Sequence, residues 1–346
     1  MDVLVTGGAG YIGSTVVSAL ADAGHHPVVL DDLSTGRAEF VRGRTFYRGD
    51  IADAGLVRRI VARHPGIRTA VHCAARVVVP ESVARPADYY RTNVTGTLEL
   101  AEALSGCGVH DLVVSGSASV YGAGPDLAVD EDAPWAPASP YARTKAVAEQ
   151  MLADLAAAGR LRVLSLRYFN PVGADPWLRT GPQQPRPGHV LGVLADCRRT
   201  GAVFPVRGTD YPTRDGSALR DYVHVWDLAR AHVAAVEHFE RALDGRRAQA
   251  INLGTGRGTT VRELVATFAR VSGHPVTVAD APRRPGDTAG AFARTDRAAR
   301  LLGWHAERDL ATGVADLLGW LDRRPAVLAG ISADPVGSPG FPGSTR

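Results

Sequence analysis

The chain has 346 residues, 45% of them hydrophobic and 22% charged, a balance that suits a folded enzyme with a large core and argues against general disorder. Its net charge of +3 arises from 39 basic residues among 36 acidic ones, with no run of one sign long enough to follow a phosphate backbone, so no nucleic-acid partner is expected. No stretch approaches the roughly 20 apolar residues of a membrane span, and the three cysteines, Cys73, Cys107 and Cys197, are odd in number and outside any metal-ligand spacing. They point to a reducing cytoplasm and away from a bound metal.

The first hydrophobic run, Val3-Leu4-Val5, leads straight into glycines and not into a cleavable signal, so the mature chain is expected to begin near Met1. Short β-branched runs then alternate with helical periodicity. Strands are expected near 2–6, 27–30, 45–48, 69–73, 111–117 and 162–168, and helices near 12–23, 55–64, 86–106 and 140–158. This order predicts an α/β, Rossmann-like, doubly wound parallel sheet. Beyond Asn170 the chain turns rich in Pro, Gly and Arg over 171–190 and 203–216, around a helix at 189–200; a helix at 224–241 and a strand at 249–253 then read as one more unit of the sheet. The expected division is a dinucleotide domain over 1–169 to which 224–255 return, and a smaller, discontinuous substrate lobe made of 170–223 and 256–324. The tail from Pro325, rich in Pro, Gly, Ser and Ala, is expected to be poorly ordered.

The opening strand runs into Gly7-Gly8-Ala9-Gly10-Tyr11-Ile12-Gly13. Glycines at 7, 10 and 13 suit a tight turn, close approach of backbone to a pyrophosphate and close helix packing, with the helix N-terminus facing the negative charge. A lone glycine triad is also what an ordinary tight turn uses, so context decides. Asp31 ends the second strand 18 residues after Gly13, where a carboxylate can accept both adenosine ribose hydroxyls. Asp31 and Asp32 together would repel a 2′-phosphate, which favours NAD over NADP, and Asp50-Ile51 closes the third strand at the place of the adenine.

Ser139-Pro140 starts a helix, and the i, i+4 spacing puts Tyr141 and Lys145 on one face. A phenol with a pKa of about 10 must lose ~3 units to act as a base near neutrality, which takes about 4 kcal/mol of preferential phenolate stabilisation; an ammonium and a positive nicotinamide ring can supply it. A random Tyr and Lys so spaced are more often a surface pair. All but one of the 39 basic residues are arginine, however, and the exception is Lys145, which suggests a position needing a compact point charge where a planar fork does not fit. Ser117, at the carboxyl end of the strand Val113-Val114-Ser115-Gly116-Ser117, can bond the reacting oxygen and share its proton with Tyr141.

With Arg167-Tyr168-Phe169-Asn170-Pro171-Val172-Gly173-Ala174, Asp210-Tyr211-Pro212-Thr213, Arg220-Asp221-Tyr222-Val223-His224 and Pro282-Arg283-Arg284-Pro285-Gly286-Asp287, these motifs make the chain resemble the extended short-chain dehydrogenase/reductase family over about residues 1–323, and within it the nucleotide-sugar 4-epimerases. The resemblance implies tightly held NAD, a UDP-sugar substrate and a homodimer formed through the helices at 86–106 and 140–158. It implies that Tyr141 is the base, that Lys145 holds the nicotinamide ribose, and that Ser117 bonds O4. Carried over residue by residue, the cofactor falls to Gly7, Gly10, Tyr11, Ile12, Gly13, Asp31, Asp32, Ser34, Thr35, Gly36, Asp50, Ile51, Cys73, Ala74, Ala75, Asn93, Ser115, Tyr141, Lys145 and Tyr168. The substrate falls to Ser117, Ser119, Tyr141, Asn170, His189, Arg207, Arg220, Tyr222, Arg284, Asp287 and Ala291. A 4,6-dehydratase of the same family would need an Asp-Glu pair where this chain has Ala118-Ser119. Three departures bear on the substrate. Pro187-Gly188-His189 stands where asparagines meet uracil in many members, Arg207 stands where a ring stacks on the base, and Ala291 stands where some members close the sugar pocket with a tyrosine.

Overall fold

In the computed structural model, which describes residues 1–122, 126–184, 188–283 and 288–330, seven parallel strands form the central sheet. They are β1 (Asp2–Thr6), β2 (His26–Asp31), β3 (Thr45–Arg48), β4 (Ile67–His72), β5 (Asp111–Ser117), β7 (Arg162–Tyr168) and β12 (Ala248–Leu253), and their spatial order is β12-β7-β5-β4-β1-β2-β3. The strands read as unbroken apolar runs because helices cover both faces. Val3 and Val5 face a core shared with α1 (Tyr11–Asp22), α8 (Val225–Glu237) and α9 (Phe239–Leu243), while Leu4 faces one shared with α2 (Ala54–Arg63), α5 (Gly96–Gly106) and α6 (Pro140–Ala157). Successive residues thus divide between the two layers, as a period of two requires. The strand order reverses on either side of β1, so the cleft for a ligand opens between the carboxyl ends of β1 and β4.

The region expected to be one long helix over 86–106 is built from α4 (Pro86–Tyr90), a π-helical turn at Arg91–Thr95 and α5, with α3 (Val79–Ala84) set before it. The helix expected over 224–241 breaks at His238 into α8 and α9.

Short strands build the rest. A four-stranded sheet has the order β13 (Thr259–Thr260), β10 (Leu219–Arg220), β15 (Gly290–Ala293), β6 (Ala128–Val129), and two pairs join β8 (Asn170–Val172) to β11 (Tyr222–His224) and β9 (Phe204–Arg207) to β14 (Val278–Ala281). Helices α7 (Val190–Thr200), α10 (Val261–Ser272) and α12 (Leu310–Leu328) enclose their apolar residues. Two segments pack away from where their place in the chain suggests. β6, from the first half, pairs with β15, and α11 (Asp296–Leu302) buries Ala298, Leu301 and Leu302 in the core of the main sheet. Helix α12 runs past Pro325 to Leu328, which corrects the expected start of the tail. A proline in the last turn removes one hydrogen bond near an end that frays anyway, and the buried Trp320 one turn earlier, with its Nε1 donating to the Pro182 carbonyl at 2.9 Å, holds the helix down.

Candidate active site

At the end of β1 the chain turns through Gly7, whose φ of +70° is a glycine conformation; a Cβ there would lie 2.5 Å from the Ala74 nitrogen. A Cβ on Gly13 would lie 2.1 Å from the Gly7 carbonyl oxygen, whereas one on Gly10 would meet nothing closer than 3.3 Å. The turn is therefore packed from behind and open in front. Gly10 caps α1 with no side-chain hydrogen bond, which leaves the first-turn N–H groups of Tyr11, Ile12 and Gly13 directed at the cleft. The residues fit a dinucleotide pyrophosphate: a cradle without side chains and unspent amide donors.

Asp31 is buried at the end of β2. One carboxylate oxygen accepts from the Ala9 N–H at 3.0 Å and the other from the Leu33 N–H at 2.8 Å. Burial raises its pKa and these amides oppose the rise. A Cβ on Gly36 would press within 2.8 Å of the same carboxylate, so the loop carrying Ser34, Thr35 and Gly36 folds directly over it. Asp32, exposed, accepts from the backbone and hydroxyl of Ser34. Asp50 is exposed and turns onto the Ala52 N–H at 2.9 Å, with Ile51 buried behind it. Asn93 is buried and fully engaged: it accepts from the Arg76 N–H and donates to the Arg76 carbonyl and the Thr144 hydroxyl. It thereby ties the Ala74–Ala75 turn to α6.

Ser139 caps α6 by accepting from the Ala142 N–H at 3.1 Å, and Pro140 opens the first turn. That start sets Tyr141 and Lys145 toward the ends of β4 and β5. Lys145 donates to the Ser115 carbonyl at 2.9 Å; burial lowers its pKa to about 8, while Cys73 and Glu149 pull it upward. Tyr141 lies against Ser117: burial raises its pKa, and the serine hydroxyl favours the ionised form. Ser117 and Ser119 share a hydrogen bond of 2.8 Å. Cys73 is pushed up to about 12 by burial, and Tyr168, also raised by burial, bonds His232 on α8.

Behind these groups lie residues that sequence reasoning passed over. Thr97 donates to the Asn93 carbonyl at 2.8 Å, so it takes a hydrogen from His72 Nε2 at 3.0 Å and leaves Nδ1 to accept from Thr6 at 2.7 Å. His72 is thus held neutral, with burial and then Lys145 lowering its pKa to about 3. Glu149 and Arg167 form a buried ion pair one turn beyond Lys145. Their one sequence signal is position: Glu149 stands at i+4 from Lys145, and Arg167 opens the Arg167-Tyr168-Phe169-Asn170 motif.

On the substrate side Asn170 is exposed on β8, paired in register with Tyr222, whose buried phenol is raised to about 12 by burial. Asp221 between them and the smaller sheet accepts from the N–H groups of Thr255, Gly256 and Ala293. Arg220 turns onto the Leu219 carbonyl at 2.7 Å and the Ala289 carbonyl at 3.4 Å. Arg207 ends β9 exposed, and Ala291 sits half-buried on β15. His189 caps α7: its Nδ1 accepts from the Gly192 N–H at 3.2 Å, so the proton is on Nε2, a buried donor without a partner among the described residues. Burial lowers its pKa to about 4. Arg284 and Asp287 lie outside the described residues. Among the described residues no cluster of His, Cys, Asp and Glu could hold a metal ion, and no helix is long and apolar enough to cross a membrane.

A doubly wound sheet with a glycine cradle at its switch point, and a Ser, Tyr and Lys set converging on the same cleft, defines a dinucleotide-dependent enzyme of hydride chemistry. Residues 3–254 match the NAD dependent epimerase/dehydratase family, and the chain belongs to it. It is 44% identical over 342 residues to the UDP-glucose 4-epimerase of Azospirillum brasilense, a match spanning 97% of this chain and 96% of that one. Among solved structures, the UDP-glucose-4-epimerase from Stenotrophomonas maltophila with bound NAD and formylated UDP-arabinopyranose is similar at a TM-score of 0.90 and 39% identity, covering 94% of this chain and 99% of that one. The UDP-glucose 4-epimerase from Brucella ovis in complex with NAD is similar at 0.86 and 41%, covering 92% and 98%.

Proposed function

We propose that the chain is an NAD-dependent UDP-glucose 4-epimerase, interconverting UDP-glucose and UDP-galactose through a transient 4-keto sugar. The observation that carries this reading is the convergence of Ser117, Tyr141 and Lys145 beside the glycine cradle, together with Ala118-Ser119 in place of the carboxylates a dehydratase would need. The full-length relatives named above support it.

In this mechanism Tyr141 removes the proton of the sugar 4-hydroxyl while Ser117 bonds the same oxygen. The hydride leaving C4 is stored on bound NAD and returned from it, which is the chemistry the dinucleotide supplies. Lys145 holds the nicotinamide ribose and lowers the cost of the phenolate on Tyr141. When the keto sugar has turned over, Tyr141 gives its proton back to the oxygen of the opposite epimer. Gly7 to Gly13, Asp31 and the 34–36 loop hold the cofactor; Asn170, Arg220, Tyr222, Arg284 and Asp287 hold the diphosphate and nucleoside. The fixed Nε2–H of His189 suits a base carbonyl, and Arg207 can stack its guanidinium on the ring.

The small side chain of Ala291 favours a second substrate class, UDP-N-acetylhexosamines, in the same pocket. Two copies pair through α3–α5 and α6, whose faces expose Val79 at 43%, Val83 at 65%, Tyr90 at 38% and Val147 at 43%. Three free thiols suit a cytoplasmic enzyme. Purified protein given UDP-galactose should form UDP-glucose without added cofactor, and Tyr141→Phe should remove most of that activity. Absence of C4 inversion with UDP-galactose, UDP-N-acetylglucosamine and UDP-glucuronate alike would refute the reading.

A further inference from the structure

Lys145 is a buried cation, and the groups around it come from three elements. His72 and Cys73 approach from the end of β4, Arg167 and Tyr168 from β7, and Tyr141 and Glu149 from its own helix. His72 is neutral, and the Cys73 thiol and both phenols keep their protons at neutral pH, since burial raises all three. Glu149 is therefore the one negative charge at neutral pH among the described groups that face the ammonium, since Cys73, which also pulls the Lys145 pKa upward, ionises only at about 12.

Its carboxylate is held in place. Arg167 Nε donates to Oε1 at 3.0 Å and its Nη2 donates to the same oxygen, while Ser165 donates to Oε2 at 2.7 Å. Arg167, only 4% exposed, lies against the rings of Tyr121 and Trp135, each 5.1 Å from its guanidinium, and its Nη1 reaches the Tyr121 hydroxyl and the Glu131 carbonyl. Glu149 makes no ion pair with Lys145 within 4.0 Å. Instead the two line a common small cavity of about 10 Å³, into which Asn93, Thr97, Ser115 and Ser165 also bring polar groups among Ala74, Val114 and Ala148, the least room that holds one water molecule with polar partners.

We propose that Glu149 is a positioning residue for the 4-epimerase reaction: through one water in the shared cavity it keeps the Lys145 ammonium charged and turned to the Ser115 carbonyl, while Arg167 fixes the carboxylate. The proposal rests on Lys145 serving the reaction as described above. Because burial alone drives Lys145 toward the neutral amine, loss of the Glu149 charge lowers its pKa by about one unit and moves the alkaline limb of kcat/KM down by the same amount. Glu149 touches no substrate, so KM for the UDP-sugar stays within about twofold.

The single lysine of the chain makes the test direct. Protein carrying 13Cε-labelled lysine, purified with its NAD, gives one lysine side-chain resonance, whose titration reports Lys145 without any turnover assay. Glu149→Gln keeps an oxygen to accept from Arg167 and offers an NH2 that the Ser165 hydroxyl can accept from, while removing the charge; Glu149→Asp keeps the charge one methylene farther back. The expected result is a midpoint about one unit lower in the Gln variant, a smaller drop in the Asp variant, and matching shifts of the pH–rate profile. An unchanged lysine midpoint in Glu149→Gln overturns the proposal, and if that variant does not fold, an unchanged midpoint in Glu149→Asp overturns it. Failure of the unmodified protein to invert C4 strikes the epimerase reading instead, and leaves the titration free to decide the Lys145–Glu149 link.

Discussion

Replacing Lys145 by methionine removes the ammonium while keeping a stem of similar length, and the structure sets the size of the effect. Tyr141 starts from a disadvantage, because burial lifts its pKa above the ordinary 10 with only Ser117 in opposition. The ammonium is anchored 2.9 Å from the Ser115 carbonyl, one helical turn from the phenol. An opposite charge within about 4–6 Å lowers a pKa by one to three units, and a two-unit effect of the ammonium on the phenol corresponds to ~2.7 kcal/mol. At pH 8 the Lys145→Met variant should therefore lose about 100-fold in kcat. The loss should begin to shrink only as pH approaches 10, since burial holds a phenol without its cation above the ordinary value. The assay is conversion of UDP-galactose to UDP-glucose from pH 6 to 10, with bound NAD measured in each preparation so that cofactor loss is separated from chemistry. Lys145→Arg should not restore the rate, because a planar fork cannot occupy a slot lined by Ser115, His72 and Asn93. A fully NAD-loaded Lys145→Met enzyme with less than a tenfold loss at pH 8 and an unshifted profile would refute the reasoning.

Three further predictions follow from single contacts. Gly13→Ala places a methyl 2.1 Å from the Gly7 oxygen and must lever α1 off the turn, so the purified variant should carry less than a tenth of the normal NAD, measured after heat release; full occupancy would show that the cradle is not the cofactor site. Ala291→Tyr should raise KM for UDP-N-acetylgalactosamine at least about tenfold more than KM for UDP-galactose, and an equal effect on both would remove Ala291 from the sugar pocket. Trp320→Ala deletes a fully buried ring that packs on Gly181 and Phe40 and bonds Pro182, and should cost about 3–5 kcal/mol; a thermal midpoint unchanged within 2 °C, roughly the shift of a single kcal/mol, would count against that packing.

What could be read before any coordinates were local. The alternation of Val3, Leu4 and Val5, the glycines from 7 to 13 and the Ser139-Pro140 cap each act within one or two turns of chain, and the strands and helices they announce stand within a few residues of their expected places. The same holds for Tyr141 and Lys145, because an i, i+4 pair shares a face in any helix. Lys145, the only lysine, stands out in the sequence, and the fold buries it with its ammonium on the Ser115 carbonyl. The readings that went astray concern cost and context: Pro325 looked like an ending, yet Trp320 anchors the last turn, and His238 interrupts a periodicity that continues on both sides of it.

Tertiary structure alone decided which distant residues meet. Arg167 reaches Glu149 from 18 residues away in sequence and Tyr121 from 46, and Tyr121 in turn donates to Asn252 across 131. No periodicity records such pairs, since each member taken singly reads as an ordinary polar residue. The neutral state of His72, set by Thr6 and Thr97, and the stranded Nε2–H of His189 are likewise products of burial, which a sequence does not display. The sequence by itself determined the elements, the glycine turn and the shared face of Tyr141 and Lys145, the pair proposed to handle the proton; folding decided the charge environment of that pair, because electrostatics depends on what surrounds a group in space and on how much water is left there.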